Sequence, residues 1–177
     1  MSTPADSAPC TVPAHFRCHA GVARADITPP VGIYARSWGA ATHDQAEGIH
    51  RPLVATALVL AHVTEQTGPC AILSVDLGWW NDRRQADRLL ASVCDATGLP
   101  TSHLLLALSH THSGPTLNPS VADRPGGEHI APYLDRLRET LTALIQRARS
   151  KLKPAWITFA SGSCGLAVNR DFHAPDG

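Results

Sequence analysis

Apolar positions recur along this chain at two spacings, and the switch between them marks out its elements. Pro52 to Val63 (PLVATALVLAHV) and Ala71 to Leu77 (AILSVDL) are apolar and rich in strand-forming residues, with the turn signal Gln66-Thr67-Gly68-Pro69 between them. Two such runs around a Gly-Pro turn predict a hairpin. After Asp82 the spacing lengthens. Ala86, Leu89, Leu90 and Val93 share one face of a helix running to about Ala96, capped by Asp82 and stopped by Gly98-Leu99-Pro100. Leu104 to Leu108 is an unbroken apolar run and predicts a buried strand. A second helix starts near Pro132 and runs to about residue 150, with Leu134, Leu137, Leu141, Leu144, Ile145 and Ala148 as its stripe. Ala155 to Ala160 (AWITFA) predicts a further strand.

Upstream, Gly21 to Ile27 predicts a short strand closed by Thr28-Pro29-Pro30-Val31-Gly32. Residues 1–18 are rich in Pro, Ser, Ala and Thr without periodicity and predict a mobile tail, so the ordered domain is expected over 19–177. The stretch of roughly 30–50 holds Trp38, Gly39, His43 and Gly48 and is long for a connection, a length associated with function or disorder. Strands alternating with amphipathic helices give an α/β domain, a mixed sheet with packed helices. The last residues, Asn169 to Gly177, form a turn signal in place of a finished element, so the chain is read as one part of a longer domain.

Composition narrows the function classes. Lys+Arg and Asp+Glu both number 15, and this neutral balance offers no electrostatic reason for nucleic acid or anionic membrane as a partner. The cluster Arg147, Arg149, Lys151, Lys153 falls at a predicted helix end, where cations complement the dipole. Five scattered cysteines without a CxxC pair argue against a disulfide framework or a zinc ribbon, and Cys70 and Cys94 read as buried small hydrophobes. No apolar run reaches membrane-spanning length, and the N-terminal residues lack the basic lead and apolar core of a signal peptide. A reduced, cytoplasmic setting is the expectation.

The densest polar feature is Ser109-His110-Thr111-His112-Ser113-Gly114-Pro115, directly after the run of leucines. If the strand continues, alternation puts His110 and His112 on one face and Ser109 and Thr111 on the other. Strand C-termini in α/β proteins open onto ligand crevices. A bare HxH there reads in two ways, as solvated histidines at a strand terminus or as a pair of metal ligands, imidazole being a common zinc donor.

Four blocks in one order bear on that choice. The segment LLLALSHTHSGP is similar to the ATHTHSGP signature of the neutral/alkaline non-lysosomal ceramidase family. AGVARADITPPVG resembles the opening block of that family, and EGIHRPLVATALVL followed by AILSVDLG resembles its next two. Asn169-Arg170 matches an Asn-Arg pair that members carry after the second long helix. The resemblance covers roughly residues 20–177. It implies an α/β catalytic domain and a zinc ion (Zn2+) held by the first His of HTH, a later His, and a Glu and a Tyr much further on. Carried over, His110 is the zinc ligand, and His112 orients substrate or the reacting water. Arg170 sits in the substrate site and stabilises developing charge. Asp76 is either a partner behind the ligands or an ordinary strand-end carboxylate. Two departures stand out: Thr116-Leu117-Asn118-Pro119 replaces the glycines that follow SGP, and the later His, Glu and Tyr have no counterpart. His43, His50, His129 and His173 are lone loop histidines that could substitute.

The implied activity is zinc-dependent cleavage of the amide of an N-acyl sphingoid or related lipid amide. Two other readings stand beside it: a non-catalytic fragment or pseudo-enzyme, and a small zinc hydrolase with a different substrate.

Overall fold

A computed structural model describes residues 15–64 and 67–166. In chain order the regular elements are β1 (His15–Asp26), β2 (Val54–Ala61), β3 (Cys70–Val75), α1 (Arg83–Thr97), β4 (Leu104–Leu108), α2 (Ile130–Arg149) and β5 (Lys153–Thr158). They build one five-stranded sheet in the order β4-β3-β2-β1-β5. Only β3 and β4 run parallel, with α1 crossing between them, and the other neighbours are antiparallel. This is the expected α/β architecture with a mixed sheet. The hairpin of β2 and β3 has Ala55 opposite Val75 and Leu60 opposite Cys70.

The sheet has two unlike faces. Ala23, Ala57, Val59, Leu73 and Val75 are buried beneath the helices. On the other face Val22, Leu58, Ile72 and Leu105 stand in register across four strands. The end of α2 lies directly on β1, where Gly21 faces it. A Cβ at Gly21 would overlap the carbonyl oxygen of Ala148, so only glycine admits this approach. The predicted stripe of α2 is buried at Leu137, Leu141, Leu144, Ile145 and Ala148, joined by Ile130 and Tyr133, while Leu134 packs at its margin. Arg147 and Arg149 donate to the carbonyls of Arg24 in β1 and Thr97 at the end of α1 (2.7 and 3.5 Å), so these two cations of the basic cluster bind neighbouring elements. Helix α1 begins and ends where its caps place it. The Asp82 carboxylate accepts from the Arg84 N–H, and Gly98 adopts a left-handed φ of 70°.

Two expectations need correction. β1 begins at His15, not at Gly21, because residues 15–20 find partners in β5, from His15 opposite Thr158 to Ala20 opposite Lys153. Long-range pairing extended a strand that local composition cut short. The run Leu104–Leu108 is a strand but not a buried one. Among the described residues β4 lies at the sheet edge with β3 as its one neighbour, leaving Leu105 58% exposed. An apolar run alone does not distinguish a central strand from an edge.

The long connection from β1 to β2 is held by hydrogen bonds of its own. The N–H groups of Gly32 and Ala46 donate to the carbonyls of Ala46 and Ile33, and Ala35 donates to Asp44. Arg36 and Asp44 form an ion pair at 2.9 Å. Tyr34 donates to the Gly126 carbonyl and accepts from Thr116, which fastens the loop to the segments around α2. Ile33 is fully buried at its centre. Among the described residues no helix is long and apolar enough to cross a membrane.

Candidate functional site

Beyond Leu108 the ladder continues for one residue, the N–H of Ser109 donating to the Val75 carbonyl at 3.0 Å. His110 then turns the chain. With φ of 59° it is the only non-glycine among the described residues in the left-handed region, where a side chain costs ~1–2 kcal/mol. The extended form therefore does not continue as simple alternation would have it. The two imidazoles nonetheless come together, their ring centroids 5.2 Å apart and both rings exposed to solvent.

Two tryptophans frame the pair. Trp79 stacks on His110 with centroids 5.4 Å apart and tilts against His112 at 5.1 Å. Trp38 meets His112 edge-on at 5.3 Å. Trp79 is placed by its neighbour Gly78, where a Cβ would lie 3.0 Å from the Thr111 carbonyl, so the turn after β3 runs close against the histidine segment.

The orientation of His112 is set by Ser37, in the long loop. His112 Nδ1 lies 2.6 Å from the Ser37 carbonyl, and a carbonyl oxygen only accepts, so Nδ1 carries the proton. The lone pair of the neutral ring is then on Nε2, which is the arrangement of a metal-ligating or proton-accepting histidine. The Ser37 hydroxyl donates to the buried Gly114 carbonyl at 3.1 Å, clamping the loop to both sides of the turn that follows His112.

Ser109, Thr111 and Ser113, which alternate with the histidines, make no hydrogen bond to either imidazole among the described residues. Thr111 Oγ1 accepts from the Ser113 N–H at 3.2 Å, and all three residues line a cleft on the side of the segment away from the rings. Asp76 lies in that cleft as well. Its carboxylate accepts from the Val54 N–H at 3.2 Å and its own N–H donates to the Val54 carbonyl, the role of a strand-end carboxylate. Sequence reasoning missed Ser37 and Trp79 as site residues. The available signals were the unusual length of the 30–50 loop and the Trp79-Trp80 pair following β3.

The two imidazoles are nitrogen donors, too few by themselves to make up a metal site. Among the described residues no His, Cys, Asp or Glu forms a group of three or more that could hold a metal ion. His50 lies in the cleft, and His129 packs beside Glu128 at the start of α2. Arg170 and His173 lie outside the described residues.

No protein-family model matches the chain, and no curated protein does. A solved structure does: the chain is similar to a ceramidase complexed with C2, at 24% identity and a TM-score of 0.57. The likeness covers 77% of this chain and 22% of that one, so the chain spans about a fifth of that protein's length, and over the matched stretch its fold is ceramidase-like.

Proposed function

We propose that His110 and His112 form part of a zinc-dependent amide hydrolase centre acting on an N-acyl lipid amide. The observation that carries this reading is the hydrogen bond from His112 Nδ1 to the Ser37 carbonyl, which leaves the Nε2 lone pair free in a ring whose centroid is 5.2 Å from that of His110. A histidine held this way is oriented for coordination or proton transfer, whereas a merely solvated histidine needs no such partner. The ceramidase-like fold supports the reaction class, and that ceramidase was solved in complex with C2.

In this reading His110 supplies one nitrogen donor, fewer than the three protein ligands a catalytic zinc commonly has. When bound, zinc supplies a lowered pKa for water and polarisation of the amide carbonyl. His110 fixes its donor through its backbone turn and the Trp79 stack. His112, anchored through Nδ1, orients the attacking water or accepts its proton through Nε2. Arg170 is proposed to stabilise developing negative charge on the carbonyl oxygen. Trp38 and Trp79 offer aromatic surface beside the reacting groups for an apolar substrate.

The test is hydrolysis of a fluorescent N-acyl sphingosine, and of a simple N-acyl amide, by the zinc-loaded chain. The reading expects zinc-dependent turnover that His112→Ala lowers by at least about a hundredfold, the lower end of the scale for a lost general base. Turnover unaffected by chelator or by His112→Ala would refute it.

A further inference from the structure

The histidine segment has a second side. Ser109, Thr111 and Ser113 face a cleft of about 510 Å³, and neither His110 nor His112 nor either flanking tryptophan lines it. Its volume is within the range of small-molecule sites. The walls are apolar, formed by Pro30, Val31, Ile33, Ile49, Leu53 and Pro115. These come from three separate stretches of chain that the sheet brings together at one end: the loop after β1, the approach to β2, and the turn after β4.

Besides the hydroxyls of Thr28, Ser109, Thr111 and Ser113, the lining holds three titratable side chains, His50, Arg51 and Asp76. Arg51 is exposed and forms no ion pair or hydrogen bond among the described residues. His50 lies beside it in sequence. Asp76 is the one acid in the lining, and one of its carboxylate oxygens is occupied by the Val54 N–H. An unpaired guanidinium at the edge of an apolar cleft is a fork for a planar anion, and carboxylate matches that fork with two parallel hydrogen bonds. Asp76 sets the limit on charge, because a dianionic phosphate would be repelled more strongly than a singly charged head.

We propose that this cleft binds an aliphatic monocarboxylate, its chain against Ile33, Ile49 and Leu53 and its head on Arg51. The site is separate from the imidazole pair and needs no metal. It stands whether or not the hydrolase reading does. If both hold, a carboxylate released by amide cleavage is a ligand for the same chain.

The experiment is a calorimetric titration of the whole chain with octanoate, in the presence of chelator so that zinc plays no part. Octylamine and octyl phosphate serve as probes with the same tail and a different head. Saturable octanoate binding is expected, weakened about tenfold by Arg51→Gln, the scale of one charge-assisted hydrogen bond. Ile49→Ser, at a side chain already 55% exposed and so without consequence for folding, should weaken it several-fold. Octylamine and octyl phosphate should both bind more weakly than octanoate. Absence of saturable binding, equal or tighter binding of either other probe, or octanoate affinity unchanged in Arg51→Gln would each overturn the proposal. Circular dichroism of both variants confirms that any loss is not a loss of fold.

Discussion

His112 and Ser37 are 75 residues apart in sequence, yet the ring Nδ1 of one lies 2.6 Å from the carbonyl oxygen of the other. The same serine sends its hydroxyl to the Gly114 carbonyl, so one residue of the long loop holds the histidine and the turn behind it. The internal bonds of that loop, its buried Ile33 and its tie to Gly126 make Ser37 a fixed point.

Ser37→Ala should therefore cost about 1–2 kcal/mol, because the buried Gly114 carbonyl loses its donor. Chemical denaturation measures this. A change below about 0.3 kcal/mol would show that water replaces the hydroxyl and that the clamp contributes little.

His110 holds a backbone conformation that suits glycine better than histidine. His110→Gly should be more stable than His110→Ala by about 1 kcal/mol, since alanine keeps the steric cost and glycine removes it. Thermal or denaturant unfolding of the two variants checks the difference. Equal stability would mean that the turn relaxes and that no strain is stored at this position.

Tyr133 links the helix layer to the end of β1. It is buried, and its hydroxyl donates to the Ile27 carbonyl at 2.8 Å. Burial pushes its ionisation well above the ordinary phenol range, the Arg136 guanidinium opposing this and Asp26 adding to it. A folded-state value above the unfolded one favours the protonated form in the native state. Its contribution is complete below the unfolded value of about 10 and falls as pH rises beyond it. Wild type should lose stability above about pH 10 more steeply than Tyr133→Phe, which lacks the ionising group. Parallel stability curves for the two proteins over that range would contradict this.

Much of the fold was legible because its signals are local. The caps Asp82 and Gly98 delimit α1, the three-four spacing of leucines gives α2, and a Gly-Pro turn separates the strands of the hairpin. What escaped depended on contacts distant in sequence. Residues 15–18 look like tail until β5 pairs with them, and Leu104–Leu108 looks buried until the sheet order leaves it at an edge. The site divides the same way. The pairing of His110 with His112 could be read from their spacing, although a left-handed turn, not strand alternation, accompanies it. Ser37 could not be read, because its part is played by a backbone carbonyl that every residue type possesses. Trp79 is brought to the rings by the close approach of Gly78 to Thr111, a tertiary contact without a local pattern.

The central claim is that His110 is a metal ligand, and zinc content after equilibrium dialysis tests it most directly. The comparison set is wild type, His110→Ala, His112→Ala and His103→Ala. His103 sits at the opposite end of β4, with Nδ1 3.1 Å from the Pro69 carbonyl, and serves as the control. The account predicts that wild type, His103→Ala and His112→Ala retain zinc while His110→Ala loses it. Equal zinc in wild type and His110→Ala, or none in wild type, would contradict it.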